Sequence, residues 1–259
     1  MPKLMVDGVN IYYEVHGAGF PLVLTHGFAG TTQMWRPQVP ALSQRYRLIL
    51  YDMRGHGQSD SPPSLTDYSL DIALNDLYQL LRHLGAEQAV VGGLSLGGYL
   101  SLHFYRQHSE MVRALILADT GPGYRNPQRR QEWDRVCIAR AEILEEGGMA
   151  AFAQSPYAAS DYYTPPDLLL KLNPIGLANV SRAVMAGAWG VEIVPQINVP
   201  TLVICGERDT DFIPATDYMA ATIPDARKVI IANAGHGSNV DDSEAFNRAV
   251  LDFLAETGV

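Results

Sequence analysis

Short, unbroken apolar runs recur along the first half of the chain, at Leu22–Thr25, Leu48–Tyr51, Ala89–Val91 and Ala114–Ala118. A strand with one wet face alternates polar and apolar positions, whereas a strand covered on both faces reads as a continuous apolar run, so these four predict a buried parallel sheet. Asn10–His16 reads as an outer strand. From Tyr68 to Leu84, leucines at 70, 74, 77, 81 and 84 are spaced by four and three, the stripe of a helix with one buried face, and Gly85 is its natural stop. This helix joins two predicted strands as a crossover. A second helix opens near Ser95 and turns Leu100 and Phe104 inward, and after residue 199 the rhythm resumes with Thr201–Cys205, Lys228–Ala232 and a last helix from about Ser243 to Glu256. Alternating strands and helices predict an α/β fold, a doubly wound and mostly parallel sheet covered on both faces.

The interval 121–194 breaks that rhythm. It holds helical patterns over Gln128–Glu146 and Pro174–Trp189, joined by a segment rich in Pro, Tyr and Ser (Ser155–Pro166), and no convincing buried strand. The expected organisation is one core, residues 1–120 and 195–259, with residues 121–194 as a small helical cap over the sheet.

Composition narrows the class. Apolar residues make up 47% and charged residues 18% of the 259 positions, so a large core is available. The 19 basic and 28 acidic side chains give a formal charge of −9 with no basic cluster, which argues against a nucleic-acid partner or a basic membrane-binding face. Cys137 and Cys205 are too few for a disulfide framework, and the absence of a signal-peptide-like start or a long apolar run makes the cytoplasm the expected address. No HExxH motif or Cys/His cluster suggests a metal, and neither a Walker sequence nor GxGxxG suggests a nucleotide, so no cofactor is expected.

The strongest chemical signal is Gly93-Leu94-Ser95-Leu96-Gly97, placed after one strand and before a helix. A nucleophile elbow needs that setting: the serine sits on a sharp turn that crowds its neighbours, and the helix start behind it offers free N–H groups to an oxyanion. A serine hydroxyl is a weak nucleophile and needs a base and an orienting acid, which in this architecture follow it in the chain. His236, in the loop after Ala232, is the expected base. Asp209, just past Cys205, is the expected acid, with Asp211 and Asp119 as rivals. The N–H groups of Leu96 and Phe28 are the expected oxyanion hole. His16, His26, His56, His83, His103 and His108 read as structural. Trp133, Tyr157 and Trp189, from a larger cap set that includes Tyr162, Tyr163 and Met185, are candidate pocket residues.

Together, His26-Gly27-Phe28, Tyr51–Asp60, the elbow at Ser95, the Gly206–Pro214 loop and Gly235-His236 resemble the α/β-hydrolase superfamily over essentially the whole chain. The resemblance implies an eight-stranded sheet and a structural role for the Asp52–Asp60 turn, with its arginine and aspartates bonding backbone. Met34–Leu42, Gly147–Ala151 and His236–Phe246 are similar to the 3-oxoadipate enol-lactonase-like carboxylic-ester hydrolases, although His26-Gly27-Phe28 departs from the Asn-Ser-Leu-Gly-like segment usual there. Ser95 argues against the epoxide hydrolases and haloalkane dehalogenases, which use aspartate at the elbow. Gly237 departs from the Trp typical of carbon–carbon bond hydrolases of meta-cleavage products. The expected activity is therefore hydrolysis of a small carboxylic ester or lactone through an acyl-enzyme. Carbon–carbon bond hydrolysis, perhydrolysis and a non-turnover small-molecule receptor are the alternatives. The sequence carries no reading of oligomeric state.

Overall fold

Each apolar run becomes a strand of one eight-stranded sheet in the computed structural model, which describes residues 2–158, 163–187 and 189–259. The strands are Lys3–Val6 (β1), Val9–His16 (β2), Phe20–Thr25 (β3), Tyr46–Tyr51 (β4), Ala89–Leu94 (β5), Val112–Ala118 (β6), Thr201–Gly206 (β7) and Ala226–Ile231 (β8). Their order is β1-β2-β4-β3-β5-β6-β7-β8; β1 pairs antiparallel with β2 and β2 with β4, and the other pairings are parallel. Because β3 lies between β4 and β5, successive crossovers leave it in opposite directions. In such sheets a crevice opens at the carboxyl ends of the strands flanking that switch.

The continuous runs are buried on both faces, as their composition requires. Leu22, Leu24, Leu48 and Leu50 enter one core layer with Phe246 and Phe253 of the last helix, while Val23, Ile49 and Tyr51 enter the opposite layer. That second layer is filled by the helices Leu70–His83 (α1) and Leu96–Gln107 (α2), with Leu74, Leu77, Leu81, Leu100 and Phe104 pointing inward. The Ser69 hydroxyl caps the start of α1 by accepting the Ile72 N–H, and Gly85 (φ 66°) lets the chain turn away from its end. Strand β1 escaped the apolar pattern because it is short and edge-lying. Its signal is the dipeptide Asp7-Gly8, whose positive φ values (48° and 82°) make the tight turn between β1 and β2.

Between β6 and β7 the described chain is helical. The span Pro127–Ala153 (α3) is two helical segments that meet at Gly148, whose φ of 65° and ψ of −162° are not helical, so the first segment stops close to its predicted end at Glu146 and a second follows it. Helix α4 (Pro174–Val180) ends earlier than its pattern suggests, passing into a wide π turn over Ser181–Met185, and Trp189 instead forms an isolated β-bridge with Gly123. After β7 come helix α5 (Ile213–Thr222), strand β8 and helix α6 (Ser243–Glu256). Cys137 and Cys205 are free and buried. Among the described residues no helix is long and apolar enough to cross a membrane.

The turn after β4 is held by charge as well as backbone. Asp52 accepts N–H bonds from Thr32 and Gln58, and Asp60 accepts the Asn10 N–H. Arg54 departs from the expected backbone role: it bonds the Asp67 carbonyl, but its main partner is the Asp76 carboxylate of α1, met by Nε at 2.9 Å and Nη2 at 2.8 Å. Both side chains are almost fully buried, so removing one charge strands the other. Asp76→Asn is expected to lower the unfolding free energy by about 3–5 kcal/mol, read as a lower midpoint in a urea titration. An unchanged midpoint would contradict this account of the turn.

Candidate active site

At the end of β5 the backbone of Ser95 adopts φ 56° and ψ −116°, a conformation that side-chain-bearing residues rarely occupy. The flanking glycines permit it. A Cβ on Gly97 would lie 2.1 Å from the Thr25 carbonyl oxygen, and one on Gly93 would lie 2.5 Å from both that oxygen and the Gly97 carbonyl carbon. The turn is fastened to β6, where the Ser95 N–H donates to the Ala118 carbonyl (2.9 Å) and the Thr120 hydroxyl donates to the Ser95 carbonyl (2.6 Å). The Leu96 N–H opens α2, where no earlier helical carbonyl can receive it.

The loop after β3 faces this turn. Ala29 takes a positive φ of 54°, and two buried histidines hold the loop's shape. His26 accepts the Met53 N–H at Nε2 and donates from Nδ1 to the Gly27 carbonyl; His56 accepts the Ala29 N–H at Nε2 and donates from Nδ1 to the Arg54 carbonyl. These partners require neutral rings. Burial provides that, pushing His26 down to about 4 and His56 well below 6.5. On the other side the Tyr163 hydroxyl donates to the Phe28 carbonyl (2.7 Å) and the Thr164 hydroxyl to the Ala29 carbonyl (2.9 Å). Tyr163, read from sequence as pocket wall, is thus a clamp on the Phe28 loop.

His236 and Asp209 meet directly, with Nδ1 2.9 Å from the carboxylate Oδ2. Phe212 stacks on the imidazole with ring centres 4.9 Å apart. Burial alone would lower the His236 pKa, but the Asp209 hydrogen bond and charge, aided by Asp119 and Asp211, outweigh it and hold the ring above its ordinary 6.5.

The rival Asp119 sits behind this pair. It is fully buried at the end of β6 with φ 45°, and its two oxygens accept the Gly206 N–H (2.8 Å) and the Ser238 hydroxyl. It therefore ties the His236 loop to β7. Burial first, and then the Asp209 charge, push its pKa up to about 7 against the pull of those two donors. Asp211 is exposed and faces the cavity. Asp119, Cys205 and Asp209 gather closely enough to suggest a metal set. The two carboxylates already accept bonds from Gly206, Ser238 and His236, and burial pushes the Cys205 thiol up to about 12.

A cavity of about 100 Å³ opens beside Ser95 and Leu96, walled by Tyr99, Thr120, Tyr124, Trp133, Met185 and Phe212 among others. Of the three candidate pocket residues only Trp133 lines it, steered by its indole N–H bond to the Met185 carbonyl (2.8 Å). Tyr157 packs instead near Arg140, and Trp189 is 45% exposed beneath the Arg130 guanidinium. Neither lines this cavity, because helical spacing does not reveal what a helix will pack against. Tyr162 lies outside the described residues. Asp119, Ser238 and Thr164 carried no distinctive sequence signal of their roles.

Known proteins resemble this chain over most of its length. The alpha/beta hydrolase fold family matches residues 21–243. A protein of Stutzerimonas stutzeri provisionally named carbamate hydrolase RutD is 31% identical over 95% of this chain and 97% of its own length. The 3-oxoadipate enol-lactonase 2 of Acinetobacter baylyi is 29% identical over 95% and 94%. The crystal structure of the enol-lactonase from Burkholderia xenovorans LB400 superposes with a TM-score of 0.86, covering 98% of this chain and all of that one at 28% identity. A sheet in this order, a strained serine at the end of β5 and a family match across most of the length lead to one conclusion: the chain belongs to the α/β-hydrolase fold family and is a hydrolase.

Proposed function

We propose that this hydrolase cleaves small carboxylic esters or lactones with Ser95 as nucleophile, His236 as base and Asp209 as its orienting acid. The observation that carries the reading is the Asp209–His236 bond of 2.9 Å at the same strand ends as the strained Ser95 elbow. With Nδ1–H committed to Asp209, the Nε2 lone pair is left to take the serine proton as Oγ attacks a carbonyl carbon. The N–H groups of Leu96 and Phe28 receive the oxyanion, the first from the helix start and the second from the clamped loop. Collapse expels the alcohol or opens the lactone, with the imidazolium returning its proton to the leaving oxygen. Water then repeats the sequence on the acyl-enzyme. Relatives named for enol-lactone and carbamate hydrolysis support attack on an ester-type carbonyl. Residues 121–194 act in this reading as a cap that shields the acyl group from water.

Ser95→Ala is expected to abolish both p-nitrophenyl acetate turnover and labelling by a fluorophosphonate probe with an unchanged circular dichroism spectrum. Asp209→Asn should lower kcat on the order of 10⁴-fold, because the imidazole then adopts the wrong tautomer. Labelling that persists in the alanine variant sinks the nucleophile assignment, and multiple turnover by the wild type separates an enzyme from a receptor that labels and stalls.

The pH profile follows from the His236 environment. Only the neutral imidazole accepts the serine proton, and its carboxylate neighbours favour the protonated form, so the acid limb of kcat/KM should lie above 6.5. Asp209→Asn should move that limb downward in whatever activity remains. A limb below 6.5 in the wild type contradicts the assigned environment.

Substrate size is set by the cavity. With about 100 Å³ beside Ser95 and Trp133 and Met185 in its wall, kcat/KM for p-nitrophenyl esters should peak between acetate and butyrate and fall by dodecanoate. A maximum at dodecanoate, with a rate jump above its critical micelle concentration, overturns the small-pocket reading.

A further inference from the structure

The two N–H groups proposed to receive the oxyanion belong to peptides whose carbonyls are held in the same way. The Leu96 N–H shares its peptide with the Ser95 carbonyl, which accepts the Tyr99 N–H at 3.0 Å and the Thr120 hydroxyl at 2.6 Å. The Phe28 N–H shares its peptide with the Gly27 carbonyl, which accepts the Gly30 N–H at 3.0 Å and the His26 Nδ1–H at 2.8 Å. A trans peptide is planar, with its N–H antiparallel to its C=O, so donors that fix the carbonyl also fix the direction in which the N–H points. They act on its strength as well, because electron density drawn to a hydrogen-bonded carbonyl oxygen leaves the N–H of the same peptide a stronger donor.

At the Ser95 carbonyl, the Tyr99 N–H comes with any helix that starts at this turn, whereas the Thr120 hydroxyl comes from the end of another strand and needs room. The chain leaves β6 through Asp119, whose φ of 45° breaks the strand, and Thr120 then stands against the elbow, 2% exposed. Gly98 provides the room: a Cβ there would lie 2.5 Å from the Thr120 methyl carbon and 3.0 Å from its hydroxyl oxygen. The turn at Ser95 needs Gly93 and Gly97 because of Thr25, so the further glycine at 98 is accounted for by Thr120. Thr120 also lines the cavity, but a hydroxyl has one proton and this one goes to the Ser95 carbonyl.

We propose that Thr120 is a positioning residue for the oxyanion hole, its hydroxyl aiming and strengthening the Leu96 N–H by bonding the carbonyl of the same peptide; this rests on the reading of Ser95 as an ester-cleaving nucleophile. The carbonyl oxygen of a bound ester carries little charge and uses that N–H weakly, whereas the tetrahedral oxyanion uses it fully. Loss of the Thr120 hydroxyl therefore acts on the transition state and leaves ester binding nearly unchanged.

Two substitutions separate the hydroxyl from the methyl group: Thr120→Val keeps the shape and removes the hydroxyl, and Thr120→Ser keeps the hydroxyl and removes the methyl. With p-nitrophenyl butyrate, Thr120→Val should lower kcat/KM about tenfold, a fraction of the ~10²–10³-fold that follows removal of a whole oxyanion donor, and Thr120→Ser should stay within about twofold of wild type. The valine substitution should weaken inhibition by a butyl trifluoromethyl ketone by the same factor, since its carbonyl carbon takes Ser95 Oγ to form a tetrahedral oxyanion while the proton passes to His236. Added to Ser95→Ala protein, Thr120→Val should leave the dissociation constant of ethyl butyrate unchanged. Should the valine protein not fold, Thr120→Ala against Thr120→Ser gives the same contrast, because only serine restores the hydroxyl. The proposal is overturned if the serine protein is as impaired as the valine or alanine one, or if ester affinity falls as far as ketone affinity, the side chain then serving only to pack against Gly98. If wild-type protein hydrolyses the ester and binds the ketone but the valine substitution changes neither, the Thr120 assignment alone fails. If wild-type protein turns over no ester and forms no ketone adduct, the reading of Ser95 fails and the proposal falls with it.

Discussion

The close approach of β5 to β3 is the constraint on which the site depends. Gly93 and Gly97 press against the Thr25 carbonyl with no room for a side chain, and the chain between them can pass from strand to helix only by forcing Ser95 into a strained backbone conformation. Parallel pairing of Leu22–Thr25 with Val90–Gly93 holds the two strands at that distance. Strain at one residue thus rests on the stability of the whole sheet, and the hydroxyl it projects stands beside the first unpaired N–H of the following helix.

A second layer of polar groups makes the surrounding loops equally stiff. His26 and His56 are used as neutral hydrogen-bond brackets between the loop after β3 and the turn after β4, which explains their complete burial. Asp52, buried and pushed up to about 6, binds the start of one loop and the middle of the next through Thr32 and Gln58. Asp119 does the same for the far side, joining β6, β7 and the His236 loop through Gly206 and Ser238. Buried polar groups of this kind specify one arrangement because any other leaves them without partners. The cost is a second carboxylate near the Asp209–His236 pair, and its charge raises the basicity of the imidazole.

The helices between β6 and β7 make a different set of contacts. Tyr163 and Thr164 pin the carbonyls of Phe28 and Ala29, so the segment between β6 and β7 reaches across the crevice to the opposite loop. Trp133 and Met185 give the cavity an apolar wall, and Arg140 places an uncompensated cation behind it. The core strands carry Ser95, Asp209 and His236, while the segment between β6 and β7 supplies part of the cavity wall.

What the sequence determined by itself was whatever depends on local pattern. Continuous apolar runs at Leu22–Thr25 and Leu48–Tyr51 can be stable only with both faces covered, and the leucine spacing of α1 only as a helix, so the doubly wound sheet was legible. The sharp turn at Ser95 was legible because glycines two positions away on either side, between a strand and a helix, have a steric reason, and the meeting of His236 with Asp209 because both follow strand ends of one sheet. Strand β1 has a local signal as well, the Asp7-Gly8 hairpin turn. The tertiary structure alone decided what depends on contacts between distant segments. Arg54 pairs with Asp76 across 22 positions, Asp119 with Ser238 across 119 and Tyr163 with Phe28 across 135, and no local periodicity encodes which of several aspartates or tyrosines will face a given loop. The misplacement of Tyr157 and Trp189 has the same cause. A helical stripe tells which residues are covered but not by what, and in an insertion folded over a cavity that difference separates wall from packing.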